Sequence, residues 1–280
     1  MDTHKSGRRW NATADAHRAE RPGRIVPLRR GTGSLYRRLK SLQYLMGRDR
    51  AAVLSFLVAR YPVRLPFRQR LRLIARFVGI TNRVRAYHTQ SELLTVADRV
   101  LRLAGSEGLT VVEAGCGKGA STAKLSLVAR VAGARVHACD TFSGIPANSE
   151  RHRHLDGRAV HFRAGAFAGR LREVQRTVAR FGEPEVCIFH KGLFADTLPG
   201  IPGPFDVVLL DVDLLDSTRT CITSLFPRIR PGGVLFSQDG HLQAVVALLG
   251  DRAFWRDEVG VPPPTIPGLG YRKLLEIERA

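Results

Sequence analysis

The 280-residue chain has no apolar run long enough to cross a bilayer. Its longest candidate, AAVLSFLVA at 51–59, is about half the ~18 residues that a membrane-spanning helix needs. Cysteine is scarce: Cys116, Cys139, Cys187 and Cys221 are far apart and make no CxxC pair. That spacing argues against a zinc ribbon, a redox dithiol or a disulfide framework, and points to buried thiols in a reducing compartment. GRRWN, near the amino terminus, is similar to a twin-arginine signal, but no apolar stretch follows it. A cytoplasmic protein without an integral membrane span is therefore expected. No internal repeat is present.

Acidic residues are also few, and unevenly so. Residues 1–87 hold 21 Lys/Arg against 4 Asp/Glu, whereas residues 88–280 hold 23 against 21. The net charge of +19 thus sits almost wholly in a front segment. Residues 1–33 are rich in arginine and poor in large apolar residues, the composition of a disordered basic arm. Residues 34–87 read as a basic helical lid or docking segment, with amphipathic helices over 34–60 and 66–80. Such a segment suits an anionic surface, whether RNA, an acidic membrane face or an anionic substrate. Equally, its arginines could do no more than solvate a lid.

From residue 88 onward, helix and strand alternate. TQSELLTVADRVLRLA (89–104) is helical, with Thr89 at the N-cap and Glu92 in capping-box spacing. LTVVEA (109–114), ARVHACD (134–140), EVCIFH (185–190), FDVVLLD (205–211), RPGGVLFSQDG (230–240) and YRKLLEIE (271–278) carry strands, and one more could lie around 259–266. Helices are expected near 119–131, 168–181, 216–227 and 241–258. Short apolar strands separated by helices predict an α/β fold, a mostly parallel sheet covered on both faces.

In VVEAGCGKGAS (111–121) a strand runs into Gly115, Gly117 and Gly119 and then opens a helix. Glycines there let a ligand approach the backbone, and the helix N-terminus offers unpaired N–H groups. Such loops serve both dinucleotides and S-adenosylmethionine. Asp140 ends the second strand, where a carboxylate can accept hydrogen bonds from both hydroxyls of a ribose. Glu113 precedes the first glycine, near the expected amino-acid end of S-adenosylmethionine. In LLDVDLLDST (209–218), Asp211 and Asp213 close an apolar strand where carboxylates can face a ligand and a cation, while Asp216 suits a helix cap. His241 reads either as a base or, more simply, as a surface residue opening a helix.

VVEAGCGKGAST, CDTFSGIP, HFRAGAFAGRLREVQRTVARFG, HKGLFADTLPG, FDVVLLDVDLLDSTRTCITSLFPRIRPGG and FSQDG cover roughly residues 110–240. On these stretches the chain resembles the macrocin O-methyltransferase family, class I S-adenosylmethionine-dependent enzymes that methylate sugar hydroxyls of natural products. The resemblance implies a Rossmann-like sheet of seven strands in the order 3-2-1-4-5-7-6. It implies S-adenosylmethionine bound by Glu113, Gly115, Gly117 and Asp140, with help from Gly192 and Leu193 in the KGLF segment. It also implies Mg2+ held by Asp211, Gln238 and Asp239, and Asp213 as general base, with His241 as the alternative. Two positions depart from the family pattern: Gln238 replaces a carboxylate, and Val212 replaces the usual glycine. An amide oxygen is still a hard ligand but brings no charge, so a weaker magnesium site and a site without its ion both stay open.

The resemblance therefore implies an O-methyltransferase of secondary metabolism. Its acceptor would be a hydroxyl on a small molecule, sugar-bearing or polyhydroxylated, and self-association into a homo-oligomer is left open. Two alternatives stand beside it. One is an RNA methyltransferase using the basic arm, although DVDL stands where base-amine enzymes carry an Asn/Asp-Pro-Pro-aromatic motif. The other is a non-catalytic binding protein of the same fold. A nicotinamide dehydrogenase leaves the two carboxylates and the RPGG turn without a role.

Overall fold

Alternating side chains on short strands decide which face each residue covers, and here both faces are apolar. The computed structural model describes Gln43 and residues 45–280, so the expected disordered arm (1–33) and the start of the expected lid (34–42) lie outside the described residues. Helical residues at Gln43, Leu45 and Met46 and a turn over 47–49, which interrupts the helix expected over 34–60, precede α1 (Arg50–Val58) and α2 (Phe67–Thr81). Helix α3 (Gln90–Arg102) follows, closed by the anticipated capping box: the Glu92 N–H donates to Thr89 Oγ1 at 3.1 Å, and the Thr89 N–H donates to the Glu92 carboxylate at 2.6 Å.

The remaining elements are β1 (Thr110–Ala114), α4 (Ala120–Ala132), β2 (Arg135–Asp140), a small hairpin of β3 (His152–Arg153) and β4 (Ala159–Val160), and α5 (Leu171–Phe181). After these come β5 (Cys187–Lys191), α6 (Phe194–Thr197), β6 (Phe205–Leu210), α7 (Leu215–Leu225), β7 (Ile229–Ser237), α8 (Gln243–Gly250) and β8 (Leu275–Glu278). The main sheet has the order β5-β2-β1-β6-β7-β8, parallel except for β8, which runs antiparallel to β7.

Odd and even residues of the central strands serve different cores. Val111, Val207 and Leu209 pack with α2, α3 and α4 on one face, whereas Val112, Val208 and Leu210 pack with α7 and α8 on the other. Phe56, Leu65, Ile74 and Phe77 of the front helices join the first of these cores, so the basic segment shares the hydrophobic interior of the sheet.

Several expectations need correction. The sheet has six strands, not seven. Residues 259–266 form no strand, because Pro262, Pro263 and Pro264 lack the N–H groups that a ladder requires. The helix expected over 241–258 breaks after Gly250 and resumes as one wide turn at Phe254–Glu258. The helix expected near 216–227 ends at Leu225, where Pro227 enters a tighter turn. Asp216 does not cap that helix. The Glu150 carboxylate does so from the loop after β2, accepting from the N–H groups of Leu215 (2.7 Å) and Asp216 (3.2 Å). Among the described residues, no helix is long and apolar enough to cross a membrane.

At the carboxyl edge, the turns after β1 and β6 touch. Gly115 has φ +92°, and a Cβ placed there would lie 2.0 Å from the Asp211 carbonyl oxygen. Gly115→Ala should therefore lower stability by at least ~2 kcal/mol, combining left-handed strain with displacement of the facing loop. Denaturant titration checks this, and a change below ~0.5 kcal/mol would mean that the two turns are not in contact.

Candidate active site

A cleft of about 280 Å³ opens at the carboxyl ends of β1, β2 and β6, where the strand order reverses and parallel sheets receive ligands. Its floor is the glycine turn. Gly119, at φ +80°, leads into α4, and the turn is braced by the carboxylate that ends β2. Asp140 Oδ2 accepts from the N–H groups of Cys116 (2.8 Å) and Gly117 (3.3 Å), and Oδ1 accepts from the Phe142 N–H (2.7 Å). Asp140 thus shapes the loop as well as facing the cleft. Gly115, Gly117 and Leu193 line the same space, while Gly192 stands just behind Leu193 and does not.

Glu113 is also set back from the cleft. It is wholly buried, and neither of its carboxylate oxygens has a hydrogen-bond partner of good geometry. Burial pushes its pKa up to about 7, tempered by the nearby Ser121 and Thr122 hydroxyls.

The second wall is acidic. Asp211, Asp213 and Asp239 each present an oxygen within 4.8 Å of the others, the spacing of a cation-binding cluster. Asp239 Oδ2 accepts from the N–H groups of Val212 (3.2 Å) and Asp213 (3.1 Å), which pins the turn after β6. Asp213 adopts φ +61°, a left-handed conformation that an aspartate tolerates and most side chains do not. Burial, and then the charge of Asp239, raise Asp211 to about 7 and Asp213 well above the usual carboxylate range. Asp239 is raised too, chiefly by burial. Lys273, from the approach to β8, lines the cleft and its charge opposes all three shifts.

Gln238 is 1% exposed and does not line the cleft, and its buried Oε1 has no hydrogen-bond partner. His241 does line the cleft, stacked on His154 with ring centroids 5.1 Å apart.

Several lining residues escaped sequence reasoning. His154, Val160 and Phe162 come from the hairpin region, Tyr87 from the end of the front segment, and Lys273 from the far end of the chain. Tyr87 meets Phe167 edge-on at 4.7 Å and helps form an apolar flank. Only the apolar-aromatic character of HFRAGAF hinted at that wall.

The profile of the macrocin-O-methyltransferase (TylF) family matches residues 92–264, more than half of the chain. The chain belongs to this family. It is 32% identical over 160 residues to 8-demethyl-8-(2,3-dimethoxy-alpha-L-rhamnosyl)-tetracenomycin-C 4'-O-methyltransferase of Streptomyces olivaceus, a match spanning 55% of this chain and 60% of that protein. It is 34% identical over 107 residues to demethyldecarbamoylnovobiocin O-methyltransferase of Streptomyces niveus, spanning 37% of this chain and 41% of the relative. Both matches thus reach less than two thirds of the relatives' lengths. Among solved structures, the O-methyltransferase NovP superposes with a TM-score of 0.59 at 22% identity, over 89% of this chain and 99% of that one. That likeness establishes a shared fold. The acidic wall and the glycine turn of this chain both fall inside the matched residues.

The isolated Glu113 carboxyl makes stability pH-dependent with a definite sign. Between pH 4.5 and about 7, the folded chain keeps a proton that the unfolded chain has released, so this contribution to stability falls as pH rises through that window. Glu113→Gln removes the effect. From pH 5 to 8 the variant should gain on the order of 2 kcal/mol relative to the native chain, read from paired denaturation curves. A constant gap between the two would show that Glu113 is ionised throughout.

Proposed function

We propose that the protein is an S-adenosylmethionine-dependent O-methyltransferase acting on a hydroxyl of a small, sugar-bearing or polyhydroxylated metabolite. One observation carries the reading: the convergence of Asp211, Asp213 and Asp239 on the same cleft as the glycine turn and Asp140. Family membership supports the reaction class, and a rhamnosyl group in the name of one relative supports a glycosylated acceptor.

When bound, S-adenosylmethionine supplies an electrophilic methyl group on a sulfonium. The backbone of Gly115 and Gly117 would line its path, and Asp140 would accept from a ribose hydroxyl through the lone pair of Oδ1 that bracing the loop leaves over. Leu193 adds an apolar contact at the rim, while Gly192 and Glu113 support the site from behind. The acceptor hydroxyl must approach in line, ~3–3.5 Å from the methyl carbon, and lose its proton as the bond forms. Asp213 would take that proton, because its raised pKa makes it a stronger base than an ordinary carboxylate. His241 is near enough to the cleft to be the second choice.

The acidic wall fits a hard divalent cation: three clustered carboxylates repel one another and have one lysine to offset them. Asp211 and Asp239 would hold Mg2+, which would polarise the acceptor oxygen. Gln238, the third ligand implied by the family pattern, does not line the cleft, although its buried Oε1 has no other partner.

The setting would be cytoplasmic, in keeping with four free cysteines, three of them buried. The front helices expose Leu54, Val58, Phe67 and Leu71 in a stretch whose charges are all arginine, which supports docking on an anionic surface or on a second copy.

Asp213→Asn should keep affinity for S-adenosylhomocysteine within about twofold while turnover falls roughly 10²–10⁴-fold. Calorimetry and methylation of glycosylated acceptors measure the two. Unchanged turnover would move the base to His241 or to solvent. A native chain that takes up no S-adenosylhomocysteine at millimolar concentration would instead favour a binding protein of this fold.

A further inference from the structure

Lys124 is a cation with no exposure to solvent, on the helix that leaves the glycine turn, and nothing in the proposed chemistry uses it. Its ammonium group has three hydrogens and finds three acceptors: Thr81 Oγ1 at 2.8 Å, His88 Nε2 at 2.9 Å and Gln90 Oε1 at 3.3 Å. When Lys124 is protonated its ammonium only donates, so His88 then accepts through Nε2 and carries its proton on Nδ1. Burial lowers His88 well below its ordinary range, which keeps the ring neutral and able to accept. Gln90 Nε2 donates to Thr81 Oγ1 (2.9 Å), which in turn donates to the Phe77 carbonyl (3.2 Å), and the Phe77 ring lies 5.6 Å from the ammonium.

Two of the acceptors, Thr81 and Gln90, flank one short segment, and the third, His88, lies within it. Residues 82–89 connect α2 to α3, and Arg85, Ala86, Tyr87 and His88 of this strap line the cleft beside Gly115 and Asp140. The strap is tied a second time where Lys273 Nζ donates to the Tyr87 carbonyl at 3.1 Å. It also lies outside residues 92–264, so the shared family profile does not account for it.

We propose that Lys124 is a positioning residue that pins residues 82–89 across the cofactor cleft, so that Tyr87 and His88 form a wall against bound S-adenosylmethionine. The role rests on the cofactor reading above, but the pin itself can be tested without cofactor. A buried lysine is a costly choice where leucine would pack. It is retained because a three-way hydrogen-bonded junction fixes the strap's register in a way that apolar contact does not. Burial lowers Lys124 to about 7, and the charges of Asp49 and Glu92 oppose that shift.

The test uses the full chain and the variants Lys124→Met, His88→Leu and the double variant. Amide exchange at residues 82–89 should accelerate at least tenfold in Lys124→Met, while amides of β1 and β6 keep their native rates. Affinity for S-adenosylhomocysteine should fall at least fivefold, with the donor KM rising and kcat changing less than twofold. The double variant should be no worse than the poorer single variant, because both substitutions break the same bond. Unchanged exchange at 82–89, an equal acceleration throughout the sheet, or additive losses in the double variant would overturn the pin. If Lys124→Met does not fold, His88→Leu reports the same exchange from the strap side and decides the matter alone. Absence of S-adenosylhomocysteine binding by the native chain would remove the cofactor reading, and strap exchange would still decide whether Lys124 is a pin.

Discussion

Three carboxylates crowded at the carboxyl edge of the sheet set the terms for the rest of the cleft. Asp211, Asp213 and Asp239 sit within mutual reach in a recessed site, where burial and like charge both disfavour ionisation. Such a cluster persists only if the backbone around it is over-determined. Asp239 holds two N–H groups of the facing turn, Asp213 is fixed in a left-handed conformation, and the Asp211 carbonyl packs where only a glycine leaves room. The glycine turn is therefore shaped from both sides, by Asp211 after β6 and by Asp140 at the end of β2, the two strands that flank β1.

The basic front segment is part of this construction. Its helices share the core beneath β1 and β6, and its last residues line the cleft. Lys273 reaches in from beyond the matched family region, and the Tyr87 carbonyl accepts from it. The glycine turn and the carboxylates lie within the matched region; the strap and Lys273 lie outside it.

Much of the fold was legible because its signals are local. Thr89 and Glu92 announce a capping box at three-residue spacing, and VVEAGCGKGA announces a strand, a turn and a helix in one stretch. Expectation failed where a distant residue or a missing donor intervened. Three consecutive prolines removed the seventh strand. Glu150 took the capping role that Asp216 invited, across 65 residues of sequence. Gln238 followed the family spacing faithfully, yet of the adjacent pair only Asp239 lines the cleft.

The sequence by itself determined the strand–helix alternation, the glycine turn, the carboxylates that end β2 and β6, and the separation of charge between front and main segments. These depend on neighbours within a few positions, where propensity and spacing act directly. Tertiary structure alone decided which carboxylates meet, how far burial raises them, which lysine offsets them, and how the front segment closes the cleft. Those outcomes depend on through-space distance and on exclusion of water, and neither is encoded at any single position along the chain.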